Sequence, residues 1–208
     1  MPFVSIDNVP ATTGIVSDVR IGLWKLTETA DNFYSLFPHL NQYSTMLSSR
    51  YKSPSRQLEF LAAHALLFLM THDKEIEIGH LPTGKPTLPQ FHVSVSHTRG
   101  YVTLMLSTSC DVAIDIERMN SRVQRVVSRF VRSDERAEDI ISQLLHWSAK
   151  ETLYKLHSDD NLEYFDMRVI PFETREQGVM EVVNLKCSVS VPIRYLVTSD
   201  YVMTYAIE

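Results

Sequence analysis

Only two cysteines occur in the 208 residues, Cys110 and Cys187. Each stands alone in strand-like sequence, so neither a disulfide framework nor a zinc site built on thiolates is expected, and both read as core thiols. Positive charge is not in excess: the formal net charge is -5, which gives no overall attraction to nucleic acid, and any site for a polyanion must be local. Long apolar runs are missing as well. The longest, Leu61 to Met70, is interrupted by His64 and is far shorter than the roughly 20 residues a membrane span needs. The opening MPFVSIDNVPATT has neither the basic nor the apolar region of a secretory signal. A soluble, cytoplasmic protein is expected.

With 44% hydrophobic and 22% charged residues the composition is that of an ordinary globular protein, and large-scale disorder is not expected. The length allows one sizeable core or two packed halves of roughly a hundred residues each. VRIGLWKL, residues 19 to 26, reads as a first strand. SPSRQLEFLAAHALLFLM, from Ser53 to Met70, has a proline near the first turn and then Leu58, Leu61, Ala65 and Leu69 at three- and four-residue steps, the pattern of a helix. The proline-rich loop HLPTGKPTLPQ follows. FHVSVSH and YVTLMLS, separated by Thr98, Arg99 and Gly100, predict a hairpin. Helices are expected over Arg122 to Val131 and Ala137 to Leu156, and strands over MRVIPF, GVMEVVNLKCSV, PIRYLV and YVMTYAIE. Helix with largely antiparallel strand in both halves gives an α+β class, with a boundary near residue 111.

The segment VAIDIE, residues 112 to 117, reads as a buried strand that carries two acids. Side chains alternate along a strand, so Ile114 and Ile116 point one way while Asp115 and Glu117 share the other. Two carboxylates that close need a positive neighbour, either Lys or Arg partners or a divalent cation. WSAKETLYKL, residues 147 to 156, puts Trp147, Glu151 and Lys155 on one helical stripe. That stripe is either an exposed Glu to Lys pair or, joined to Asp115 and Glu117, oxygen ligands for Mg²⁺ with an ammonium for phosphate. HVSVSHTRG ends a strand on His97, and GKP, residues 84 to 86, presents Lys85 beside a stiff proline. Ser94, Ser96 and His97 do not make a hydrolase, because the G-x-S-x-G elbow is absent and adjacency in sequence is not triad geometry.

In this order, GKP, VSVSHT, VAIDIE and WSAKETLYK resemble the 4′-phosphopantetheinyl transferase superfamily, in particular its longer, surfactin-synthetase-activating type. The resemblance covers residues 84 to 155 well and the rest loosely. It implies two similar α+β halves, each a helix on a small, mainly antiparallel sheet, with the active site in the cleft between them. Residues 1–111 would form the coenzyme A nucleotide side and 112–208 the metal and carrier-protein side. It implies transfer of the phosphopantetheine arm of coenzyme A to a carrier-protein serine, with release of adenosine 3′,5′-bisphosphate. Asp115, Glu117 and Glu151 would hold Mg²⁺, Lys155 would contact the phosphates, and Ser96 and His97 would bind the nucleotide phosphates. Lys85 would lie along the adenosine, and Arg56 would meet the 3′-phosphate. Glu151 is the candidate to draw the proton from the serine. The catalytic set is then Glu151, Lys155 and His97, in a chain expected to act as a monomer.

Three positions depart from the family pattern: His64 where many relatives carry an arginine, Thr98 where serine often follows the histidine, and HSDDNLEYFD, which lacks a glycine-rich turn. Beyond the motifs, Arg118, Arg122, Arg125, Arg129, Arg132 and Arg136 recur at steps of three and four. A helix would align Arg122 to Arg132 in one stripe, either a solvated face or a dock for an acidic carrier through Arg122, Arg125 and Arg129. Ser133 is a candidate cap for the next helix. A metal-dependent nuclease and a non-catalytic carrier-binding module are the competing readings.

Overall fold

The computed structural model describes residues 3–8 and 18–208. The chain divides into two compact units, Met1–Ser109 and Cys110–Glu208. Both combine helix with antiparallel sheet, the α+β class.

In the first unit, strands β1 (Phe3–Asn8), β2 (Arg20–Lys25), β5 (His92–Thr98) and β6 (Tyr101–Ser107) form an antiparallel sheet in the order β1-β2-β6-β5. Strands β5 and β6 are the expected hairpin, and Gly100 at its turn has φ +89°, a conformation that costs glycine little. Between β2 and β5 lie α1 (Ala30–Leu36), a 3₁₀ helix (Pro38–Tyr43), α2 (Ser44–Arg50), α3 (Pro54–Thr71) and the short strands β3 (Gly79–His80) and β4 (Pro86–Thr87).

Helix α3 opens on Pro54 and stops at His72, which adopts φ 57°. Its buried side, Leu61, Ala62, Ala65, Leu66 and Met70, joins Trp24, Phe33, Val102 and Leu104 in the core. Each such large side chain contributes about 1.5–3 kcal/mol by leaving water. Gly22 permits the close approach of helix to sheet, because a Cβ there would lie 2.9 Å from Met70 Sδ and 3.0 Å from Leu66 Cδ2.

The second unit is a five-stranded antiparallel sheet in the order β7-β11-β10-β9-β8, from β7 (Val112–Arg118), β8 (Met167–Val169), β9 (Gln177–Asn184), β10 (Val189–Val197) and β11 (Tyr201–Ile207). Helix α4 (Ile140–Leu156) packs across it and buries Leu144, Leu145, Ala149 and Leu153 against Ala113, Val182, Ile193 and Val202. Asp139 caps α4 in a reciprocal box with Ser142, so the helix starts three residues later than Ala137, and Ser133 does not cap it.

The helix expected over 122–131 is not formed. Two short 3₁₀ helices, Ser121–Arg125 and Val127–Arg129, stand there, with Asn120 capping the first through its bond to Arg122 N. The arginine spacing imitates a helical face, but Val123 and Phe130 are drawn into the core and the β-branched Val126–Val127 pair favours a break. The arginines therefore do not align in one helical stripe. The cysteines also depart from expectation: Cys187 is exposed in the turn between β9 and β10, and Cys110 is only partly buried.

Candidate metal and phosphate site

Strand β7 pairs with β11 so that Asp115 faces Thr204 and Glu117 faces Val202. Strand alternation sends Asp115 and Glu117 toward α4. There Ser148 Oγ donates to Asp115 Oδ2 at 2.8 Å, and Lys155 Nζ donates to Asp115 Oδ1 at 2.7 Å and to the Ile114 carbonyl at 2.9 Å. Ser148 and Thr152 both meet Thr204 Oγ1, at 2.8 and 2.6 Å. Ser148, Thr152 and Lys155 thus make one polar stripe, while Trp147 and Glu151 occupy the adjacent one. Trp147 Nε1 donates to Glu117 Oε1 at 2.9 Å, and the Tyr164 hydroxyl donates to Glu151 Oε1.

The three acids therefore share one electrostatic neighbourhood. Burial first, and then the charges of Asp115 and Glu151, raise the Glu117 carboxyl to about 7. Burial, followed by Asp115, also raises Glu151. Tyr164 is pushed up by burial and by its bond to Glu151. Set against three carboxylates, Lys155 supplies one ammonium, which it gives to Asp115. Glu117 and Glu151 each accept one hydrogen bond among the described residues, on Oε1.

Like charges pulled separately toward Lys155, Trp147 and Tyr164 do not close tightly on one point. Among the described residues, the group of three potential ligands whose donor atoms all lie within 4.8 Å of one another is His157, Asp160 and Cys187. There the Asn184 amide already donates to Asp160 Oδ2 at 2.6 Å and lies 3.0 Å from His157 Nδ1.

Two hollows adjoin the acids. One, of about 450 Å³, is bordered by Glu151, Tyr164, Arg129, Tyr154 and Phe165. The other, of about 250 Å³, is bordered by Glu117, Trp147, Asn120 and Arg122. Arg122, Arg125, Arg129 and Arg136 are exposed. Arg132 is engaged by Asp134 at 2.9 Å and by the Phe165 carbonyl.

In the first unit a hollow of about 250 Å³ is bordered by Arg50, Arg56, His64, His80 and His97, and Lys85 is not among its lining residues. Arg56 Nη1 lies 2.8 Å from His97 Nε2 and 3.0 Å from Glu59 Oε2. His64 is buried, stacks on Phe60 at 3.9 Å and is tied to the Phe60 carbonyl at 2.9 Å, and burial lowers its pKa. It is a neutral packing group here rather than a second cation. Lys85 follows Gly84, which has φ +89°, and its carbonyl accepts from Leu81 N at 2.9 Å. Ser96 is buried, and strand alternation turns it to the sheet face opposite His97. After Lys155, Asn161 takes φ 48° where a glycine would be expected, so the turn forms without one.

The sequence gives no sign of Ser148, Thr204, Tyr164 and Glu135 as site residues, and Lys150 stands within WSAKETLYK with no role of its own. All act through partners distant in the chain, which local patterns do not reveal.

A strand offering two acids to a helix that adds a third acid and a lysine sets three carboxylates against one ammonium. Residues 111–206 match the sequence model of the 4′-phosphopantetheinyl transferase superfamily. The match covers nearly the whole of the second unit, Cys110–Glu208, which is thus similar to that superfamily. No curated protein matches the chain significantly. No helix among the described residues is long and apolar enough to cross a membrane.

Proposed function

We propose that the chain is a Mg²⁺-dependent 4′-phosphopantetheinyl transferase of the surfactin-synthetase-activating type, acting on carrier proteins in the cytoplasm as a monomer. The observation that carries this reading is the set of buried Asp115 with half-buried Glu117 and Glu151, and its carboxylate excess over Lys155. The donor set fits a hard divalent cation: three carboxylates, two held above their usual range by burial and mutual repulsion, and no thiolate or imidazole.

Asp115, Glu117 and Glu151 would hold the cation, which when bound offsets negative charge on the pyrophosphate of coenzyme A. Lys155, at the edge of the set, turns its ammonium toward the same phosphates. The serine hydroxyl of the carrier attacks the phosphorus bearing the pantetheine arm, and its proton passes to Glu151 directly or through a water. A new P–O bond forms to serine, the bond to the bridging oxygen breaks, and adenosine 3′,5′-bisphosphate departs. Arg56 and His97 meet the nucleotide phosphates, with Arg56 on the 3′-phosphate, and Lys85 lies along the adenosine; Ser96, expected to share the phosphate role, is buried on the face opposite His97 and takes no part. Arg122, Arg125 and Arg129 supply the local positive surface that attracts an acidic carrier to a protein of net charge -5.

Incubation with coenzyme A, Mg²⁺ and an apo carrier protein tests this by intact-mass spectrometry. One phosphopantetheine added per carrier is expected. An unmodified carrier that still binds would mark a binding module, and cleavage of DNA or RNA would mark a nuclease.

A further inference from the structure

Helix α4 carries a second lysine one residue before Glu151, and it points away from the acids. Lys150 has no exposed surface. Its ammonium donates to Glu135 Oε2 at 2.8 Å, to the Phe130 carbonyl at 2.7 Å and to the Tyr164 carbonyl at 3.2 Å. Glu135, itself buried, accepts from Arg132 N at 2.8 Å and from Val169 N at 2.6 Å. One ion pair thus ties three chain segments, 130–132, 164 and 169, to the middle of α4.

Stability alone does not account for such a pair. Burial works against the ammonium, and a buried ion pair is often no more stabilising than apolar residues of the same volume. Two of the tied segments do hold the acids, however. Tyr164, whose carbonyl Lys150 grips, donates its hydroxyl to Glu151. Phe130, whose carbonyl Lys150 also grips, sets its ring edge-on to Trp147 at 5.0 Å and 83°. Trp147 in turn donates to Glu117 and stands 5.0 Å from the Tyr164 ring.

We infer that Lys150, with Glu135, is a positioning residue that fixes Tyr164 and Trp147 and so sets the orientation of Glu151 and Glu117 for a divalent cation. The inference rests on the metal role proposed above. It assigns the lysine beside Glu151 a place beneath the site, in contrast to Lys155 within it.

The test uses Mn²⁺ as the probe and the full chain, with affinity read by electron paramagnetic resonance and folding by thermal unfolding. The variant carrying both Lys150→Met and Glu135→Gln removes the pair without stranding a charge. It is expected to bind Mn²⁺ about tenfold or more weakly while still unfolding cooperatively, the size of effect that support of metal ligands usually has. A merely structural role would lower the melting temperature and leave the affinity of the folded protein unchanged, which would overturn the inference. If that variant does not fold, Tyr164→Phe cuts the tether to Glu151 alone, and the same loss is expected; unchanged affinity would again overturn the inference. Wild-type protein that binds no Mn²⁺ would overturn the metal reading itself, whereas equal binding by wild type and variants would overturn only the positioning role.

Discussion

Lys155 Nζ lies 2.7 Å from Asp115 Oδ1 and 2.9 Å from the Ile114 carbonyl, so the ammonium assigned to the phosphates also pins helix α4 to strand β7. Lys155→Met therefore has two consequences. Loss of a charged hydrogen bond to a buried carboxylate costs about 2 kcal/mol of stability, measured by denaturant unfolding. Loss of the ammonium from the phosphates lowers single-turnover transfer by about 10²-fold or more. Transfer that survives the substitution would confine Lys155 to a structural role.

Glu117 makes the stability of the chain depend on pH when divalent cations are chelated. Its folded carboxyl is raised to about 7 from 4.5, so the folded state holds the proton more tightly than the unfolded one. Its contribution is fully present below pH 4.5 and is lost as pH rises through 7. Glu117→Gln, which stays neutral, is expected to be more stable than wild type at pH 8 in chelator, by an amount on the order of 2 kcal/mol. The difference should vanish near pH 4.5. Wild-type affinity for Mn²⁺ should rise from pH 6 to 8 as the competing proton leaves. Identical unfolding curves at pH 8 would refute the shift.

Arg122, Arg125 and Arg129 lie exposed on the two short 3₁₀ helices. Reversing Arg122 and Arg125 to Glu is expected to raise the KM for carrier by about tenfold at low salt, leave kcat nearly unchanged and flatten the salt dependence. If KM and its salt dependence stay as they were, the carrier docks elsewhere.

Arg56 stands beside His97 in the basic hollow of the first unit. Arg56→Ala is expected to weaken coenzyme A by about tenfold and dephospho-coenzyme A little, because only the former carries the 3′-phosphate that a guanidinium holds. Equal weakening of both, by competition binding, would move Arg56 off that phosphate.

Helix α3, the β5–β6 hairpin, the acid-bearing strand β7 and most strands after residue 167 were legible because their apolar spacing follows the period of the element they form, but the single strand expected over 178–189 is broken by the turn at 185–188 between β9 and β10. Helix α4 was legible except for its first turn, which the Asp139–Ser142 box sets. The arginine run misled because three- and four-residue steps of charge carry no information about which apolar residues reach the core. Val123 and Phe130 decided the matter by burying, and the chain broke into 3₁₀ turns around them. Residues 27 to 52, for which no element is expected above, contribute Phe33, Phe37, Leu40 and Leu47 to the first core. Of the candidate site, the residue types were readable. What holds them was not, since Trp147 to Glu117, Tyr164 to Glu151 and Lys150 to Glu135 are pairings set by tertiary structure.

The central claim is that Asp115, Glu117 and Glu151 act together on one cation. Calorimetric titration of the full chain with Mn²⁺ in the presence of coenzyme A tests it most directly, comparing wild type with Asp115→Asn, Glu117→Gln and Glu151→Gln. One ion bound per chain, with each single substitution weakening it about tenfold or more and combined substitutions losing less than the sum, is the expected result. Binding that ignores all three substitutions would contradict the account.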